Sequence, residues 1–189
     1  MRQREIREFA LVDEALLLGH GARPLEELIA TLRGADIQTL VDVRSQPGSR
    51  RHPQFGAQSL ATALREVGIG YEHLPELGGR REARVDSPHR ALRVAAFRGY
   101  ADHMSTPEFA RGYERLVSIA RRSRTVFMCA ETLWWRCHRR LIADRLTVDG
   151  WSVTHLFAPG KSEAHVLWDV ARTLGGQLVY DAGTLPLPT

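Results

Sequence analysis

The sequence predicts an α/β protein, a three-layer α/β/α sandwich around a mainly parallel, Rossmann-like sheet. Short apolar runs of strand length recur along the chain, and stretches with helical spacing of apolar residues lie between them. Most of the runs end in glycine or in polar side chains, as strands of open α/β sheets do. We expect one domain of 189 residues, with a core over about 14–157 and a C-terminal extension over about 158–189.

The first half of the chain contains three strand candidates. Pro24 stands just before a helical pattern, where a proline is tolerated because the first turn of a helix needs no N–H. The loop over 44–53 is rich in proline, glycine and serine, so it cannot be a regular element. The predicted elements, in order, are strand 14–18, helix 25–34, strand 37–43, helix 58–67 and strand 68–74.

The second half continues the alternation. Thr132 is a plausible N-cap for a helix that we expect to begin at Leu133 and to end before Gly150. In the tail, Gly175 and Gly176 precede an apolar run, which favours a hairpin over a helix across 166–174. Thr106 and Pro107 mark the start of a helix that runs to residue 120. The other predicted elements are helix 91–104, strand 125–128, the helix from Leu133 and strand 151–157.

Composition favours a basic protein of a reducing compartment. The net charge is +4 and the sequence pI is about 9.6, with Lys161 as the only lysine. Arginine binds planar and anionic groups such as phosphate, which makes nucleic acid a plausible partner. A general preference for arginine over lysine across the genome would give the same ratio of arginine to lysine. Two cysteines cannot form a disulfide framework, and the charged N-terminus shows no secretion signal. We therefore expect a cytoplasmic protein.

Chemistry-bearing side chains follow several of the predicted strands. The carboxyl ends of parallel strands meet along one edge of a sheet, and ligands bind there. Both cysteines and two of the four tryptophans lie in the single stretch 125–146. The side chains that this rule brings to one edge are His20, Asp42, Arg44, Tyr71, His73, Glu131 and His155.

Together these residues resemble the domain of unknown function 488 family. The matching pieces are Gly19-His20, Val41-Asp42-Val43-Arg44 with Pro47 and Ser49, Tyr71 with Leu77-Gly78-Gly79, Phe97 through Tyr100 with Met104, and Cys129-Ala130-Glu131 with Cys137-His138-Arg139. Some members of that family look like DNA-repair enzymes that remove alkylated bases. The resemblance therefore implies a monofunctional DNA glycosylase, with DNA as partner and no metal or organic cofactor.

Asp42 and Glu131 are the candidate catalytic residues of such an enzyme. Cleavage of a bond to a sugar C1 passes through an oxocarbenium-like state, which a carboxylate stabilises while it orients a water molecule. The alternative for Asp42 is a structural bond to loop amides, and the alternative for Glu131 is an ion pair with an arginine.

The same hypothesis gives the surrounding side chains a binding role. Aromatic rings would stack on an extruded base, and arginines would hold phosphates, although one of the adjacent tryptophans should belong to the core because helix neighbours diverge. The candidate substrate-binding residues are His20, Arg44, Tyr71, His73, Cys129, Trp134, Trp135 and His138. The candidate backbone-binding residues are Ser49, Arg50, Arg51, Arg80 and Arg139.

Two other classes of function stay open. Cys129 ends a strand before a helix, where rhodanese-like and phosphatase nucleophiles lie, but Arg136 is one position late for a phosphatase cradle. The chain could also be an arginine-rich nucleic-acid-binding module without catalysis. A zinc site is not expected, because Cys137 and His138 diverge on a helix and no second compact ligand pair follows.

Overall fold

The structure is a computed structural model that describes residues 13–48 and 50–182. Ser49, a candidate backbone-binding residue, lies outside the described residues. None of the helices in the described part of the chain has the length and apolar character needed to span a bilayer.

A six-stranded sheet forms the middle layer of the described chain. Its strands are β1 Glu14–Gly19, β2 Thr39–Asp42, β3 Gly70–His73, β4 Thr125–Cys129, β5 Ser152–Ala158 and β6 Lys161–Ala164. They lie side by side in the order β3-β2-β4-β1-β5-β6, and only β6 runs antiparallel to its neighbour. All of β4 and nearly all of β1 are buried, as expected of central strands with helices on both faces.

Five helices of the described chain cover the two faces of this sheet. They are α1 Leu25–Gly34, α2 Ala57–Glu66, α3 Ala95–His103, α4 Pro107–Ala120 and α5 Arg139–Val148. The leucines of α1 and α2 pack with Leu18 and Met128 on one face. Helices α3, α4 and α5 pack on the other face, around Phe127. The predicted α/β/α sandwich is therefore confirmed.

The order of the strands places a crevice between β2 and β4. The chain leaves β2 through α2 on one face of the sheet and leaves β4 through α5 on the other face. Two neighbouring strands whose connections diverge in this way define a topological switch point, which is where open α/β sheets bind ligands. The loops that follow β2 and β4 therefore line a ready-made crevice at the carboxyl edge.

The start of α5 is the main error of the sequence prediction. Thr132 does not cap a helix. Residues Trp134–Arg136 form a single 3-10 turn, and the α-helix begins only at Arg139. The guanidinium of Arg139 binds the carbonyls of Glu131 and Thr132, which holds this segment in an irregular loop. The four earlier helices and the five parallel strands lie close to their predicted bounds, whereas exposed strand β6 was not predicted.

The predicted C-terminal hairpin is confirmed. Its strands are β7 Ala171–Leu174 and β8 Gln177–Tyr180. Gly175 and Gly176 connect them with φ of 58° and 79°, backbone angles that glycine adopts without strain. A buried carboxylate ties the hairpin to the body, because Asp144 of α5 accepts hydrogen bonds from the Tyr180 hydroxyl at 3.1 Å and from His165 Nε2 at 2.9 Å.

Candidate active site at the carboxyl ends of β2 and β4

A cavity of about 880 Å³ occupies the crevice between the loops after β2 and β4. Its volume falls within the range of small-molecule sites, roughly 300–1,000 Å³. Basic, aromatic, thiol and carboxylate groups all reach it. The side chains that line it include Arg44, Gln46, Arg80, Arg81, Val94, Phe97, Cys129, Glu131, Trp135, Arg136, Cys137 and His138.

Two glycines allow the walls of this site to come together. A Cβ on Gly19, the last residue of β1, would lie 1.7 Å from the carbonyl oxygen of Glu131. A Cβ on Gly79 would lie 2.3 Å from Nδ1 of His138. Since Cβ contacts this short do not occur in folded proteins, any larger residue would push the β4 loop away from its neighbours. Gly19 and Gly79 both belong to the sequence pieces that carry the family resemblance.

Cys129 lies on the floor of the cavity at the end of β4. Its sulfur is 2.6 Å from Nη1 of Arg139 and 2.8 Å from the sulfur of Cys137. Burial alone raises the pKa of the Cys129 thiol, but the hydrogen bond from Cys137 and the positive charge of Arg139 outweigh it and lower the pKa to about 7. Arg139 and Cys137 thus both favour the thiolate form of Cys129.

Cys137 behaves in the opposite way. Burial, the hydrogen bond to Cys129 and the negative charge of the Cys129 thiolate together hold the pKa of Cys137 well above its usual value. The proton is thus favoured on Cys137, whose sulfur lies 2.8 Å from the Cys129 sulfur and 3.5 Å from His138 Nδ1. The sequence placed Cys137 among the buried apolar positions, and burial is confirmed, but its direct contact with Cys129 was not foreseen.

Arg139 is buried, with 2% of its surface exposed. Its Nη1 donates to Cys129 and to the carbonyl of Glu131, and its Nη2 donates to the carbonyl of Thr132 at 2.9 Å. The guanidinium thus fixes the conformation of the loop that follows β4, because it binds two carbonyls of that loop. The sequence placed Arg139 among the residues that hold phosphates, but here its charge faces Cys129 and backbone carbonyls.

Asp42 lies behind the cavity and has no exposed surface. Its Oδ1 accepts hydrogen bonds from the backbone N–H of Arg44 at 3.1 Å and from Arg44 Nε at 2.8 Å. Its Oδ2 accepts from Arg44 Nη2 at 2.5 Å and from the Tyr71 hydroxyl at 2.8 Å. All of its acceptor positions are engaged within the fold, so Asp42 and Tyr71 orient Arg44, and neither lines the cavity.

Two histidines that the sequence brought to this edge, His20 and His73, contact Arg44. His20 donates from Nδ1 to the Gly21 carbonyl, so its Nε2 accepts from Arg44 Nη1 at 3.1 Å. Burial lowers the pKa of His20 to about 4, which keeps it neutral beside this arginine. His73 donates to the Arg44 carbonyl at 2.8 Å. Of these side chains only Arg44 lines the cavity.

His138 is the one candidate histidine in the cavity wall. Its Nε2 donates to the carbonyl of Val43 at 3.2 Å, and its Nδ1 lies 3.5 Å from the sulfur of Cys137. Burial, helped by the charge of Arg139, lowers its pKa to about 4. His138 is therefore a neutral link between Val43, at the end of β2, and Cys137.

The two adjacent tryptophans diverge, as expected. Trp134 is buried with its ring stacked on that of His155 at 4.4 Å, so it belongs to the core and does not line the cavity. Trp135 is 43% exposed and faces the cavity. His155 lies within β5 and not at the edge, so its predicted place in the site is wrong.

The mouth of the cavity is basic. Arg80 and Arg136 are exposed there, and within the described chain their side chains form no ion pair or hydrogen bond. Arg81 also lines the mouth but pairs with Glu108 at 3.0 Å. Arg50 and Arg51 are exposed on the loop after β2 and do not line the cavity. A second depression of about 790 Å³ adjoins the first through Arg81 and is lined by Arg84, Arg90 and Arg98 as well.

Glu131 is the carboxylate that faces the cavity. It is exposed and forms no ion pair with any described residue, so the alternative in which an arginine neutralises it is not observed. The two candidate catalytic carboxylates do not meet in the cavity, because Asp42 faces Arg44 behind the wall. Phe97 of α3 completes the apolar side of the cavity. Nothing in the local pattern around Phe97 indicated this, beyond its place in the family resemblance.

The fold and this site define an α/β protein with an arginine-lined, thiol-containing cavity at the switch point of its sheet. The chain belongs to the family described as domain of unknown function DUF488, whose model matches residues 24–146. The match includes β2, β4, the loops after them and most of α5. No curated protein matches the chain, and no solved structure matches it.

Proposed function

We propose that this chain is a DNA-repair enzyme, a monofunctional glycosylase that hydrolyses the N-glycosidic bond of an alkylated base. The observation that carries the proposal is the composition of the switch-point cavity, which combines one exposed carboxylate, one exposed tryptophan and unpaired arginines at its mouth. An enzyme that acts on a base must hold an extruded nucleotide, stack on its ring and bind the neighbouring phosphates. The cavity offers a group for each of these tasks.

Glu131 carries the chemistry in this proposal. A carboxylate beside the sugar C1 would orient the attacking water and stabilise the positive charge that develops on the sugar. Glu131 is suited to this because it faces the cavity without a cationic partner in the described chain. Asp42 takes a positioning role, since its oxygens are occupied in holding Arg44 at the cavity wall. This mechanism uses no metal or organic cofactor.

Trp135 and Phe97 would hold the base. Among the described residues they are the phenylalanine and the tryptophan that line the cavity, and Trp135 is accessible from the cavity mouth. An alkylated base with a fixed positive charge gains from an aromatic face and from a carboxylate at the same time. The pairing of Trp135 with Glu131 therefore favours cationic alkylated bases over neutral ones.

The arginines at the mouth would bind the DNA backbone. Arg80 and Arg136 flank the entrance, and the adjoining depression extends the basic surface through Arg90. Phosphate contacts of this kind position a duplex or a single strand without reading its sequence. They also make binding sensitive to salt, because each contact releases counterions.

The test is the formation of abasic sites in a methylated oligonucleotide. We expect the wild type to release the methylated base, Glu131→Gln to lose at least about a hundredfold in rate, as removal of a catalytic acid–base group typically does, and Trp135→Ala to bind the substrate less tightly. Arg80→Ala should weaken binding and reduce its salt dependence. Arg65→Ala is the matched control, because this exposed arginine at the end of α2 lies at the opposite edge of the sheet.

Two outcomes would overturn the proposal. The first is a folded wild-type protein that generates no abasic sites. If such a protein still binds DNA in a salt-dependent manner, the chain is a non-catalytic nucleic-acid-binding module. The second is unchanged base release in Glu131→Gln, which would remove from the mechanism the one carboxylate that lines the cavity among the described residues.

A second candidate function rests on Cys129. Its sulfur lines the cavity and lies against the Arg139 guanidinium, and its lowered pKa favours the nucleophilic thiolate. This arrangement favours a rhodanese-like thiol enzyme, in which the Cys129 thiolate takes sulfur from a sulfane donor. Formation of thiocyanate from thiosulfate and cyanide tests it. The hypothesis requires the activity in wild type and its loss in Cys129→Ser, and absence of the activity from wild type contradicts it.

A further inference from the structure

The two cysteines of the chain meet on the floor of the switch-point cavity. Cys129 ends β4 and Cys137 precedes α5, seven residues of irregular loop and 3-10 turn lying between them. The 2.8 Å between their sulfurs is less than 1 Å longer than a disulfide bond of about 2.05 Å. Both are free thiols, and both line the cavity. Cys129 and Cys137 are only 1% and 3% exposed, so a reagent must be small enough to enter the cavity floor to meet the pair.

The surroundings give the two thiols different roles. Arg139 and the Cys137 S–H stabilise the anion of Cys129, whereas no cation contacts the sulfur of Cys137 among the described residues. Cys129 is therefore the attacking sulfur. Cys137 is held as a protonated partner at the distance from which it can close a bond to Cys129.

We propose that Cys129 and Cys137 form a redox-active dithiol that reduces hydroperoxides, with Cys129 as the attacking thiol and Cys137 as the resolving thiol. The Cys129 thiolate attacks one oxygen of the peroxide, an S–O bond forms, and the O–O bond breaks to release an alkoxide or hydroxide that takes up a proton. Cys129 is then a sulfenic acid.

The second step closes the disulfide. The sulfur of Cys137 attacks the sulfur of Cys129, the S–O bond breaks, and the departing hydroxide leaves as water with the proton of the Cys137 thiol. The two sulfurs lose two electrons in total, and the peroxide gains them. A dithiol reductant returns the pair to the starting state. Cys137 thus protects Cys129 from oxidation to the sulfinic acid, which thiols do not reverse.

The reaction does not depend on the glycosylase proposal, because it uses neither Glu131 nor Trp135. The test uses hydrogen peroxide on the reduced full chain and follows free thiols and mass. The chain has only two cysteines, so the thiol count is unambiguous. We expect the wild type to lose both thiols without forming sulfinic acid, and dithiothreitol to restore them.

Single substitutions separate the two roles. Cys137→Ser should stop at a sulfenic acid that dimedone traps, and it should proceed to sulfinic acid with excess peroxide. Cys129→Ser should react at least about tenfold more slowly at pH 7 than Cys137→Ser, because Cys137 lacks the cationic partner that favours a thiolate. In Cys137→Ala the midpoint of the pH profile for alkylation of Cys129 should rise, because the S–H donor is gone.

The proposal is overturned if the folded wild type keeps both thiols under peroxide that oxidises free cysteine. It is also overturned if the wild type forms sulfinic acid as readily as Cys137→Ser, since Cys137 then does not resolve the intermediate. Circular dichroism of each variant verifies the fold. Cys137→Ser carries the test if Cys129→Ser fails to fold, because trapping by dimedone requires only the attacking thiol.

Discussion

Replacement of Asp42 by asparagine is expected to destabilise the fold by about 3–5 kcal/mol, the usual cost of removing one partner from a buried ion pair. Asp42 has no exposed surface and meets the Arg44 guanidinium at 2.8 and 2.5 Å. Asparagine keeps the shape of the side chain but removes its negative charge. Its amide N–H₂ would also face the Arg44 guanidinium or the Tyr71 hydroxyl, which are themselves donors. Arg44, 8% exposed, would then lie in the protein without its counterion.

The chain provides a matched control for this substitution. Arg84 and Asp86 form the same two-residue, two-bond pair, with distances of 3.0 and 2.8 Å, but on the surface. Solvent screens such a pair, so Asp86→Asn should leave the free energy of unfolding nearly unchanged. The comparison contrasts a buried Arg–Asp pair with an exposed one of the same two-bond geometry, and the buried carboxylate accepts in addition from Tyr71 and from the Arg44 backbone.

Urea unfolding followed by circular dichroism measures both variants. With a slope of about 2 kcal/mol/M, the loss expected for Asp42→Asn lowers the midpoint by about 2 M. Base release by the folded fraction of Asp42→Asn should decline less than that of Glu131→Gln, because Asp42 only orients Arg44. Equal midpoints for Asp42→Asn and the Asp86→Asn control would refute the structural role of Asp42.

The stability should also fall in mild acid. The buried His20 and His155 and the half-buried His138 have pKa values of about 4, 3 and 4, all lower than the ordinary 6.5, so the unfolded chain binds protons first as the pH falls. Their contribution to stability is complete above pH 6.5 and is lost as the pH falls from 6.5 towards the folded-state pKa values of about 4 and 3, at up to roughly 1.4 kcal/mol per pH unit for each group. Urea midpoints that stay constant from pH 7.5 to 5 would contradict this. Gly79→Ala should cost about 1–3 kcal/mol through its contact with the His138 ring, whereas Gly48→Ala, which has open space, should cost little in the same assay.

The architecture could be predicted from local patterns. Apolar runs and helical spacing gave five parallel strands and four helices, and Thr106 with Pro107 marked the start of α4, where the Thr106 side chain accepts from the N–H of Phe109. The glycine pair marked the hairpin turn. These signals are local, so no knowledge of tertiary contacts was needed.

The α5 start and the details of the site could not be predicted in this way. The helical spacing after Thr132 is real, but the hydrogen bonds of the Arg139 side chain to the carbonyls of Glu131 and Thr132 override it. The switch-point rule correctly brought Glu131 and Arg44 to one edge, but it could not distinguish a side chain in the cavity from one behind it. That distinction depends on which acceptors are already occupied, as they are at Asp42.

The cysteines show the same limit. Their spacing argued against a phosphatase cradle and placed Cys137 in the core, and both inferences considered each cysteine alone. The contact between Cys129 and Cys137 arises because the 3-10 turn at Trp134–Arg136 folds the loop back on the end of β4. A continuous helix from Leu133, as the sequence predicted, would have lacked this turn.

Release of a methylated base from DNA by wild type and by Glu131→Gln tests the central claim most directly. Chromatography of the free base, with heat-induced cleavage at abasic sites as a second readout, gives the rate without a coupled enzyme. We expect wild type to release the base and Glu131→Gln to release it at least about a hundredfold more slowly while it still binds the substrate. Absence of release by folded wild type, or equal release by the two proteins, would contradict the account.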